Sequence, residues 1–290
     1  MKKVTNIAAV VTTFNPDNSL LVNLERISGQ VGKVIVVDDS GKVSRAELID
    51  FLKIPNLHYL TNATNIGIAA ALNRGVESAA AQGFDLIITL DDDTLVSETY
   101  VSDVIEFIRT NQLPNVGLVA CSRGNAKHGR TKAEADFCTK RNLITSGSVF
   151  SVENFRKVGG FDESMFIDLV DFDFCTKLRK IGCSIVLLNK HGMDHKVGNS
   201  FEVNFAFVHF VVYNHAPFRL YYQIRNAFTF LRKHFAFAPV LSMYIFLDVF
   251  RLPLKALLFE RTKLKRFRYL GIGLIDGLMG RGGRMRIDLN

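Results

Sequence analysis

Short apolar runs rich in valine and isoleucine recur along the chain, separated by stretches with the periodicity of amphipathic helices. The runs are IAAVVT at 7–12, VIVVD at 34–38, LHYL at 57–60, LIITL at 86–90 and VGLVA at 116–120. Strands that alternate with helices form a mostly parallel sheet with helices on both faces. The spacing therefore predicts an α/β protein, and 290 residues with 48% hydrophobic content suffice for its core.

A polar segment directly follows each of the first four predicted strands. The segments are TTFNP at 12–16, DDSG at 38–41, TNATNIG at 61–67 and DDD at 91–93. Any one of them alone is typical of a solvated turn or a helix cap. Because ligands of open α/β sheets bind at the carboxyl ends of the strands, four such segments in consecutive units predict one binding site at one edge of the sheet.

The acidic triplet Asp91-Asp92-Asp93 is unusual in a chain whose net charge is +8. Neighbouring carboxylates repel one another and need a cation, hydrogen-bond donors or water. In an extended segment Asp91 and Asp93 point to the same side, roughly 7 Å apart. There they can share Mg²⁺ or Mn²⁺ with a substrate diphosphate. A helix N-cap at Asp93 or Thr94 accounts for only one of the three aspartates.

The four segments together resemble the donor-binding half of the family 2 nucleotide-sugar glycosyltransferases, which have the Rossmann-like GT-A fold. The resemblance is carried by VVTTFNP, VIVVDDSG, TNIGIAAALNRGV and TLDDDT. It implies that Asp91 and Asp93 form the D-x-D motif of that family and bind a divalent metal, Mn²⁺ or Mg²⁺, against the sugar-nucleotide diphosphate. Asp91 would also reach the ribose.

The same resemblance implies further contacts to the nucleotide sugar. These are Thr12 and Phe14 beside the nucleobase, Asp38 on its edge, Asn65 near the nucleoside or diphosphate, and Ser146 and Gly147 near the transferred sugar. From the residues alone, TSGSVFSVENF at 145–155 is also typical of a buried strand next to Gly and Ser. The resemblance further implies a histidine as third metal ligand, for which His195 fits better than His191.

The stretch GGFDESMFIDLVDFDFCTKLRKIG at 159–182 resembles the acceptor-side E-D-x-D segment of the family, in which one aspartate deprotonates the acceptor hydroxyl. The matching catalytic base is Asp171, and transfer with inversion is implied. Val170 stands where the family often has Glu, which keeps Asp168 and Asp173 as alternatives. Acidic residues at the start and basic residues at the end of a helix also account for much of this pattern.

The combination of GGFDESMFID, VDFDFC, DHKVG and RLYYQIRNAFTFLRKH looks most like the bacterial dTDP-rhamnosyltransferase branch. This implies transfer of L-rhamnose from dTDP-L-rhamnose to a lipid-linked saccharide in O-antigen, capsule or cell-wall synthesis. Galactofuranose or a hexose is the near alternative. A nucleotidyltransferase and a non-catalytic scaffold are the other classes. Within YYQIRN, Arg225 either pairs with a surface acid or, with Asn226, lies near the acceptor or diphosphate.

The basic charge is concentrated in the tail, since residues 251–290 contain ten Lys/Arg and three Asp/Glu. The preceding run FAFAPVLSMYIFLDVF is too short for a spanning helix, so we expect an amphipathic helical extension, 236–290, on the membrane surface rather than a nucleic-acid partner. Residues 1–235 form the predicted catalytic domain, with a donor half at about 1–120 and an acceptor half at about 121–235. Four cysteines without metal spacing predict a reducing compartment, hence a cytoplasmic protein peripheral on the inner membrane face.

Overall fold

The computed structural model describes residues 4–41, 53–111, 113–123, 136–195, 200–205, 208–213, 216–259 and 263–286. By internal contacts the chain divides into two compact units. The first unit comprises residues Met1–Asp162 and Asp171–Lys196, and the second comprises Glu163–Val170 and Val197–Asn290.

A nine-stranded sheet forms the centre of the first unit. Its strands are β1 Val4–Thr13, β2 Val31–Asp38, β3 Leu57–Thr61, β4 Leu86–Asp91, β5 Thr94–Val96, β6 Val116–Arg123, β7 Phe137–Lys140, β8 Ser148–Ser151 and β9 Ser184–His195. The strand order is β3-β2-β1-β4-β8-β6-β9-β5, and β7 also pairs with β9. Six of these strands run in one direction, while β5, β7 and β8 run against them. The predicted mostly parallel sheet is confirmed.

Helices cover both faces of this sheet. The helices of the first unit are α1 Ser19–Ser28, α2 Ile68–Ala81, α3 Tyr100–Thr110, α4 Val152–Lys157 and α5 Val170–Lys180, whose first residue is counted with the second unit. On one face Leu24 and Val104 belong to the apolar core that contains Ile7, Ala9 and Val11 of β1. On the other face α2 packs on β1 and β2. Because side chains alternate along a strand, β1 contributes to both cores.

The close contact of α2 with the sheet depends on Gly75. A Cβ atom there would lie 2.3 Å from Val10 Cγ1 and 3.1 Å from Val37 Cγ2. The helix therefore approaches the strands more closely than any side chain at this position would permit. This packing holds the first residues of α2, and with them the turn that follows β3, at the edge of the sheet.

The second unit contains a hairpin and a group of helices. These elements are a 3₁₀ turn Glu163–Met165, β10 Ser200–Phe205, β11 Val208–Tyr213, α6 Pro217–His234, α7 Pro239–Phe259 and α8 Lys263–Leu278. Helix α6 packs against both α7 and α8, with Ile224 and Val249 in one shared apolar cluster and Tyr221 and Tyr269 in another. The helices predicted within residues 236–290 are confirmed at α7 and α8, whereas the described residues 279–286 are not helical.

The role predicted for this tail stays a prediction, as does the division of the chain at residue 235. The tail helices bury part of α6, so the two sides of that division share a core. No helix in the described part of the chain has the length and apolarity needed to cross a membrane.

Candidate active site

The carboxyl ends of β1, β2, β3 and β4 lie side by side, as the polar segments predict. In the register of the sheet Thr12 is opposite Asp91, Thr13 is opposite Asp38, and Asp38 is opposite Thr61. Thr12 and Asp38 are buried, and Asp91 is half-buried. The fold therefore brings three of the residues expected to contact a nucleotide sugar to one edge, although they are far apart in sequence.

The middle residue of the acidic triplet has a separate task. Asp92 Oδ2 accepts a hydrogen bond from the Thr13 hydroxyl at 2.8 Å and from the Phe14 N–H at 3.4 Å. Its backbone carbonyl accepts another from Asn23 Nδ2 at 2.6 Å. Burial raises the pKa of Asp92 above its usual value, and the bonds from Thr13 and Phe14 partly counter that effect. Asp92 thus ties the end of β4 to the turn after β1.

Asp91 and Asp93 flank this anchor and are both half-buried. The extended backbone expected for the triplet is wrong, because Asp92 and Asp93 form the turn between β4 and β5. The Asp91 N–H donates to Ser146 Oγ at 2.9 Å, and Ser146 shares a 2.7 Å hydrogen bond with the Thr94 hydroxyl. Two carboxylates fit a hard divalent cation that takes its other ligands from substrate and water. No set of three or more histidine, cysteine and carboxylate side chains forms a metal site among the described residues.

The histidine predicted as third metal ligand lies on β9. In the antiparallel pairing of β5 with β9 the backbone of His195 is opposite Thr94, the residue that follows Asp93. His191 is opposite Ser122 of β6 instead. The side chains of these two histidines lie outside the described part of the chain, so metal binding by His195 stays a prediction. The backbone register nevertheless brings His195, rather than His191, next to the acidic triplet.

Asp38, predicted to hydrogen-bond the edge of the nucleobase, is fixed in place by hydrogen bonds from neighbouring residues. It accepts hydrogen bonds from the Tyr59 hydroxyl and from the Ser40 N–H, the latter at 2.8 Å. Ser40 Oγ in turn accepts a bond from the Asn15 N–H at 2.7 Å, which joins the turns after β1 and β2. Phe14, in the turn after β1, has 53% of its surface exposed. An exposed aromatic ring at this edge of the sheet is suited to stack on a planar ligand.

Sequence reasoning missed the neighbouring Asp39. Its carboxylate accepts hydrogen bonds from the Ile66 and Gly67 N–H groups at 2.8 and 2.9 Å, and from Asn62 Nδ2 at 2.9 Å. Asn65, expected near the donor, accepts a further bond from the Gly67 N–H at 3.0 Å. Gly67 has φ +89°, a conformation that favours glycine. The sequence signal for this contact was the pair Asp38-Asp39 at the end of β2, followed after β3 by the pattern Asn-x-Gly at residues 65–67.

Ser146 and Gly147 are hydrogen-bonded to the end of β4. The Gly147 N–H donates to the Thr89 carbonyl at 2.7 Å, and its own carbonyl accepts a 2.6 Å bond from the Tyr100 hydroxyl. Gly147 has φ +84°, and a Cβ atom there would lie 2.2 Å from Met193 Cε. Sequence reasoning missed Tyr100, because a tyrosine at the start of an amphipathic helix is typical of a core residue.

The three aspartates considered as catalytic base differ in their surroundings. Asp173 is fully buried and pairs with Lys177 at 2.9 Å, while Lys177 also donates to the Gly160 carbonyl. Asp168 belongs to the second unit and pairs with Arg219 at 2.5 Å. Asp171 is half-buried at the first turn of α5 and accepts a 2.9 Å bond from the following backbone N–H.

Asp171 also lines a small cleft in the first unit. Its other lining residues include Thr89 of β4, Ser148 of β8, Thr145 just before β8, and the rings of Phe161 and Phe174. The cleft has no room for a water molecule, so in this structure it describes the surroundings of Asp171 and not a binding site for an acceptor. Of the three candidates, Asp171 is the one that lines this cleft.

The surface ion pair considered for Arg225 is wrong. Arg225 and Asn226 are fully buried in α6, and the guanidinium donates to backbone carbonyls of Ser164 and Met165 at 2.9 and 2.8 Å. Helical periodicity could not distinguish a long basic side chain on a surface from one that binds carbonyl groups inside the protein.

Comparison with known proteins agrees with this architecture. Over 96% of this chain and 98% of the relative, the sequence is 28% identical to "dTDP-rhamnosyl transferase RfbF" of Shigella flexneri. Among solved structures, TarS 1–349 from S. aureus matches with a TM-score of 0.53 at 15% identity, covering 98% of this chain and 94% of that one. GalNAc-T7 with UDP, GalNAc and Mn²⁺ matches with a TM-score of 0.52 at 12% identity, covering 67% and 44%.

These structural similarities establish the fold, which is of the GT-A type. The family is established by sequence. The family model of glycosyl transferase family 2 matches residues 8–159, which is more than half of the chain and includes the ends of β1 to β4 described above. The chain belongs to glycosyl transferase family 2.

Proposed function

We propose that this glycosyltransferase transfers L-rhamnose from dTDP-L-rhamnose to a lipid-linked saccharide of a bacterial surface polysaccharide, with inversion at the anomeric carbon. The observation that carries the proposal is the register that aligns Thr12, Asp38 and Asp91 at one edge of the sheet. The choice of sugar is supported by the 28% identity to the dTDP-rhamnosyl transferase over nearly all of both chains.

Donor binding is assigned to the strand ends. Phe14, half-exposed, would stack on the thymine, and Asp38, fixed by Tyr59 and Ser40, would accept a hydrogen bond from the base. The Asn65 side chain and the backbone that Asp39 holds would border the nucleoside or diphosphate. Ser146 and Gly147, which lie beside the end of β4, would contact the transferred sugar.

A divalent cation, Mn²⁺ or Mg²⁺, is the proposed cofactor. Asp91 and Asp93 would hold it, with His195 as a third ligand. When bound, the cation supplies positive charge against the departing diphosphate. Asp92 does not take part in this set, because its carboxylate is bonded to Thr13 and Phe14. Its task is to keep the turn after β1 at a fixed distance from the flanking carboxylates.

Asp171 is the proposed base. An acceptor hydroxyl must lose its proton as it attacks the anomeric carbon, and a positioned carboxylate accepts that proton. The alternatives are less suited, because Asp173 is committed to Lys177 inside the protein and Asp168 to Arg219. Attack on one face of the sugar with departure of dTDP from the other gives the inverted linkage.

The acceptor assignment rests on the tail helices. Helix α7 exposes an apolar face formed by Val240, Met243, Tyr244 and Leu247, which follow the helical spacing i, i+3, i+4, i+7. Helix α8 exposes Leu264 and Phe267 beside basic residues. Apolar and basic side chains together suit a membrane interface with anionic lipids, where a lipid-linked acceptor is found.

A donor screen tests the proposal. Release of the nucleoside diphosphate is measured from dTDP-L-rhamnose, UDP-galactofuranose and common UDP-hexoses, with Mn²⁺ or with chelator, using synthetic polyprenyl-diphosphate saccharides as acceptors. We expect turnover of dTDP-L-rhamnose in Mn²⁺ only. Turnover restricted to another nucleotide sugar would contradict the choice of rhamnose.

A variant at the metal site tests the cofactor assignment separately. Replacing Asp93 with Ala removes one of the two proposed carboxylate ligands. We therefore expect the donor affinity measured by calorimetry in Mn²⁺ to fall by at least about tenfold, which is the low end of the effects seen when a buried charged group loses its partner. Glu98→Ala is the matched control, since this exposed carboxylate pairs only at the surface, with Arg26 at 3.6 Å. Unchanged donor affinity of the Asp93 variant in Mn²⁺ would count against the assignment.

A further inference from the structure

Arg225 and Asn226 form a buried polar cluster that the proposed chemistry does not use. Both side chains are fully buried within the second unit. The guanidinium group lies over the rings of Tyr221 and Tyr222, with its carbon 5.3 and 4.9 Å from the ring centroids. A buried cation is costly unless its donors are satisfied, and an apolar residue would pack a helix at lower cost. The cluster therefore has a task other than packing.

The task is visible in the acceptors that the two side chains use. Arg225 donates to the backbone carbonyls of Ser164 and Met165 at 2.9 and 2.8 Å, and to Asn226 Oδ1 at 2.7 Å. Asn226 Nδ2 in turn donates to three carbonyls, those of Met165 at 2.9 Å, Ile167 at 2.7 Å and Asp168 at 2.8 Å. Together they bind four carbonyls within the five-residue segment 164–168.

This segment has an unusual backbone. Phe166, Asp168 and Leu169 have φ values of +62°, +66° and +62°, in the left-handed region that non-glycine residues rarely adopt. Such conformations cost free energy and persist only where the surroundings impose them, and they concentrate at functional sites. The bonds from Arg225 and Asn226 to the carbonyls around these residues provide that constraint.

The C-terminal residues complete the constraint. Arg225 Nη1 donates to the Gly283 carbonyl, and the Gly283 N–H donates to the Ser164 carbonyl at 2.6 Å. At Gly282 a Cβ atom would lie 2.8 Å from Ser164 Cβ, so the tail lies directly against the strained segment. The part of the chain that follows α8 is thus bound to the same carbonyl-rich turn.

We propose that Arg225 and Asn226 are positioning residues for glycosyl transfer. They hold segment 164–169 in its strained form, and the chain leaves this segment at Val170 to begin α5, whose second residue is Asp171. The proposal rests on the proposed function, since it assigns to the two residues the placement of the base. Loosening of the segment should lower the rate of transfer without changing binding of the donor, whose site is formed by the strand ends of the first unit.

The test uses an isosteric substitution. Asn226→Asp replaces the Nδ2 donor, which faces three carbonyls, by an oxygen, while the acceptor for Arg225 is kept. Gln223→Glu makes the same chemical change on α6 at a half-buried position and serves as the control. We measure the rate of dTDP release from dTDP-L-rhamnose with a polyprenyl-diphosphate saccharide as acceptor. Calorimetric titration with dTDP in Mn²⁺ gives the number of donor-binding sites in the same sample. The rate divided by that number is kcat per site.

For Asn226→Asp we expect kcat to fall by about 10- to 100-fold, the effect of a small misplacement of a reacting group, with Kd for dTDP unchanged. The control should keep both values. A merely structural role would reduce the number of binding sites but leave kcat per site unchanged, and that result would overturn the proposal. Wild-type protein that binds dTDP but turns over no dTDP-L-rhamnose would instead overturn the proposed function, and the positioning role with it.

A second variant covers the case in which Asn226→Asp does not fold. A chain ending at Arg281 keeps α8 and the bond between Arg281 and Asp276 but lacks Gly283 and its carbonyl. We expect kcat per site to fall in this chain as well, with Kd for dTDP unchanged. Wild-type kcat per site in the shortened chain would overturn the proposal.

Discussion

At the scale of single residues, the acidic triplet shows how three adjacent carboxylates are accommodated. Asp92 is bonded to the hydroxyl and N–H groups after β1, while Asp91 and Asp93 stand on either side of it at the strand end. Repulsion among the three is thus met partly by the protein's own donors. The proposed cation would then have to balance only Asp91 and Asp93, and Mg²⁺ commonly takes one or two carboxylates from a protein.

The raised pKa of Asp92 makes a prediction about stability and pH. Burial favours the neutral form of this carboxyl in the folded protein, so its contribution to stability is complete below the usual value of 3.8 and is lost as pH rises through the higher folded value. Asn at position 92 cannot ionise. We therefore expect the free energy of unfolding of Asp92→Asn, relative to wild type, to increase as pH rises from below 3.8 towards neutrality.

Urea denaturation at a series of pH values measures that difference. The amide keeps an oxygen that accepts the bonds from Thr13 and Phe14, which limits the change to the charge. Asp85→Asn is the control, because Asp85 bonds an exposed Asn6 at the opposite end of β4. A difference that is independent of pH, or one that decreases as pH rises, would contradict the prediction.

The base assignment gives a second prediction at this scale. Asp171→Asn removes the proposed proton acceptor at the first turn of α5 and should lower kcat by about 10²- to 10⁴-fold, as expected for loss of a general base. Donor affinity should be retained. Asp173→Asn is informative as a comparison, since it breaks the buried pair with Lys177 and should lower stability more than kcat per folded molecule.

Turnover kinetics and thermal unfolding, measured on both variants, separate the two roles. Near-normal kcat in Asp171→Asn would remove that residue from consideration as base. A collapse of kcat per folded molecule in Asp173→Asn, without loss of stability, would transfer the role to Asp173.

The individual residues also show where sequence reasoning stops. That Asp38 and Asp91 would lie at the same edge of the sheet could be predicted, because each ends a parallel strand and such strands end at one edge. The sequence did not predict that Asp39, rather than Asn65 alone, holds the turn before α2. Such side-chain hydrogen bonds depend on the distance between two loops, which local pattern does not give. The same holds for Arg225, whose acceptors lie about sixty residues away in the sequence.

At the scale of elements, strands β1 to β4 and β6 follow from local pattern, as do helices α1 and α2. The remaining strands were harder to predict, because β8 inserts antiparallel between β4 and β6 and so depends on pairing with distant segments. Strand β9, which pairs with β5, β6 and β7, lies beyond the recurrent strand–helix units. Local periodicity encodes that a strand forms, but not which strand it joins.

The packing of α2 on the sheet gives a prediction for this scale. Gly75→Ala places a methyl group 2.3 Å from Val10 Cγ1, so either the helix or the strands must shift. We expect a loss of about 1–3 kcal/mol in the free energy of unfolding, the usual cost of overpacking. Donor affinity should fall as well, because α2 carries the turn containing Asn65.

Gly29→Ala is the matched control for that substitution. Gly29 ends α1 with φ −71°, and apart from its chain neighbours and the backbone of its own helix, no heavy atom lies within 4 Å of the position that a Cβ atom would take there. Alanine should therefore be neutral or stabilise by about 0.4–1 kcal/mol. Chemical denaturation of both variants, together with dTDP titration, checks the pair. Equal stability of the Gly75 and Gly29 variants would contradict the close contact at α2.

At the scale of the whole molecule, the two units differ in what they expose. The first unit presents the polar strand ends of a sheet, whereas in the second unit α7 and α8 present apolar side chains, several of them beside lysine and arginine. Single exposed apolar residues are ordinary, but a helical stripe of them indicates a contact surface. The apolar face of α7 belongs to a helix whose opposite side packs on α6 through Val249.

The membrane assignment yields the last prediction. Tyr244 and Leu247 are 60% and 54% exposed on the apolar face of α7, so a double substitution by Glu should leave the core intact. Removal of the whole tail would instead expose the apolar side of α6 and unfold the second unit. With vesicles of phosphatidylglycerol and phosphatidylcholine, we expect co-sedimentation to drop at least about tenfold, since the change removes apolar burial and adds charge that anionic lipid repels.

Val22→Glu provides the matching control, because Val22 is a similarly exposed apolar residue, at 52%, on α1 of the other unit. Binding should also weaken in high salt if the basic residues of α8 contribute, as screening shortens the reach of surface charges. Wild-type protein that stays in the supernatant with anionic vesicles, or a Tyr244/Leu247 variant that still sediments with them, would mean that this face meets something other than lipid. The apolar stripe of α7 and the basic side chains of α8 would then need separate explanations.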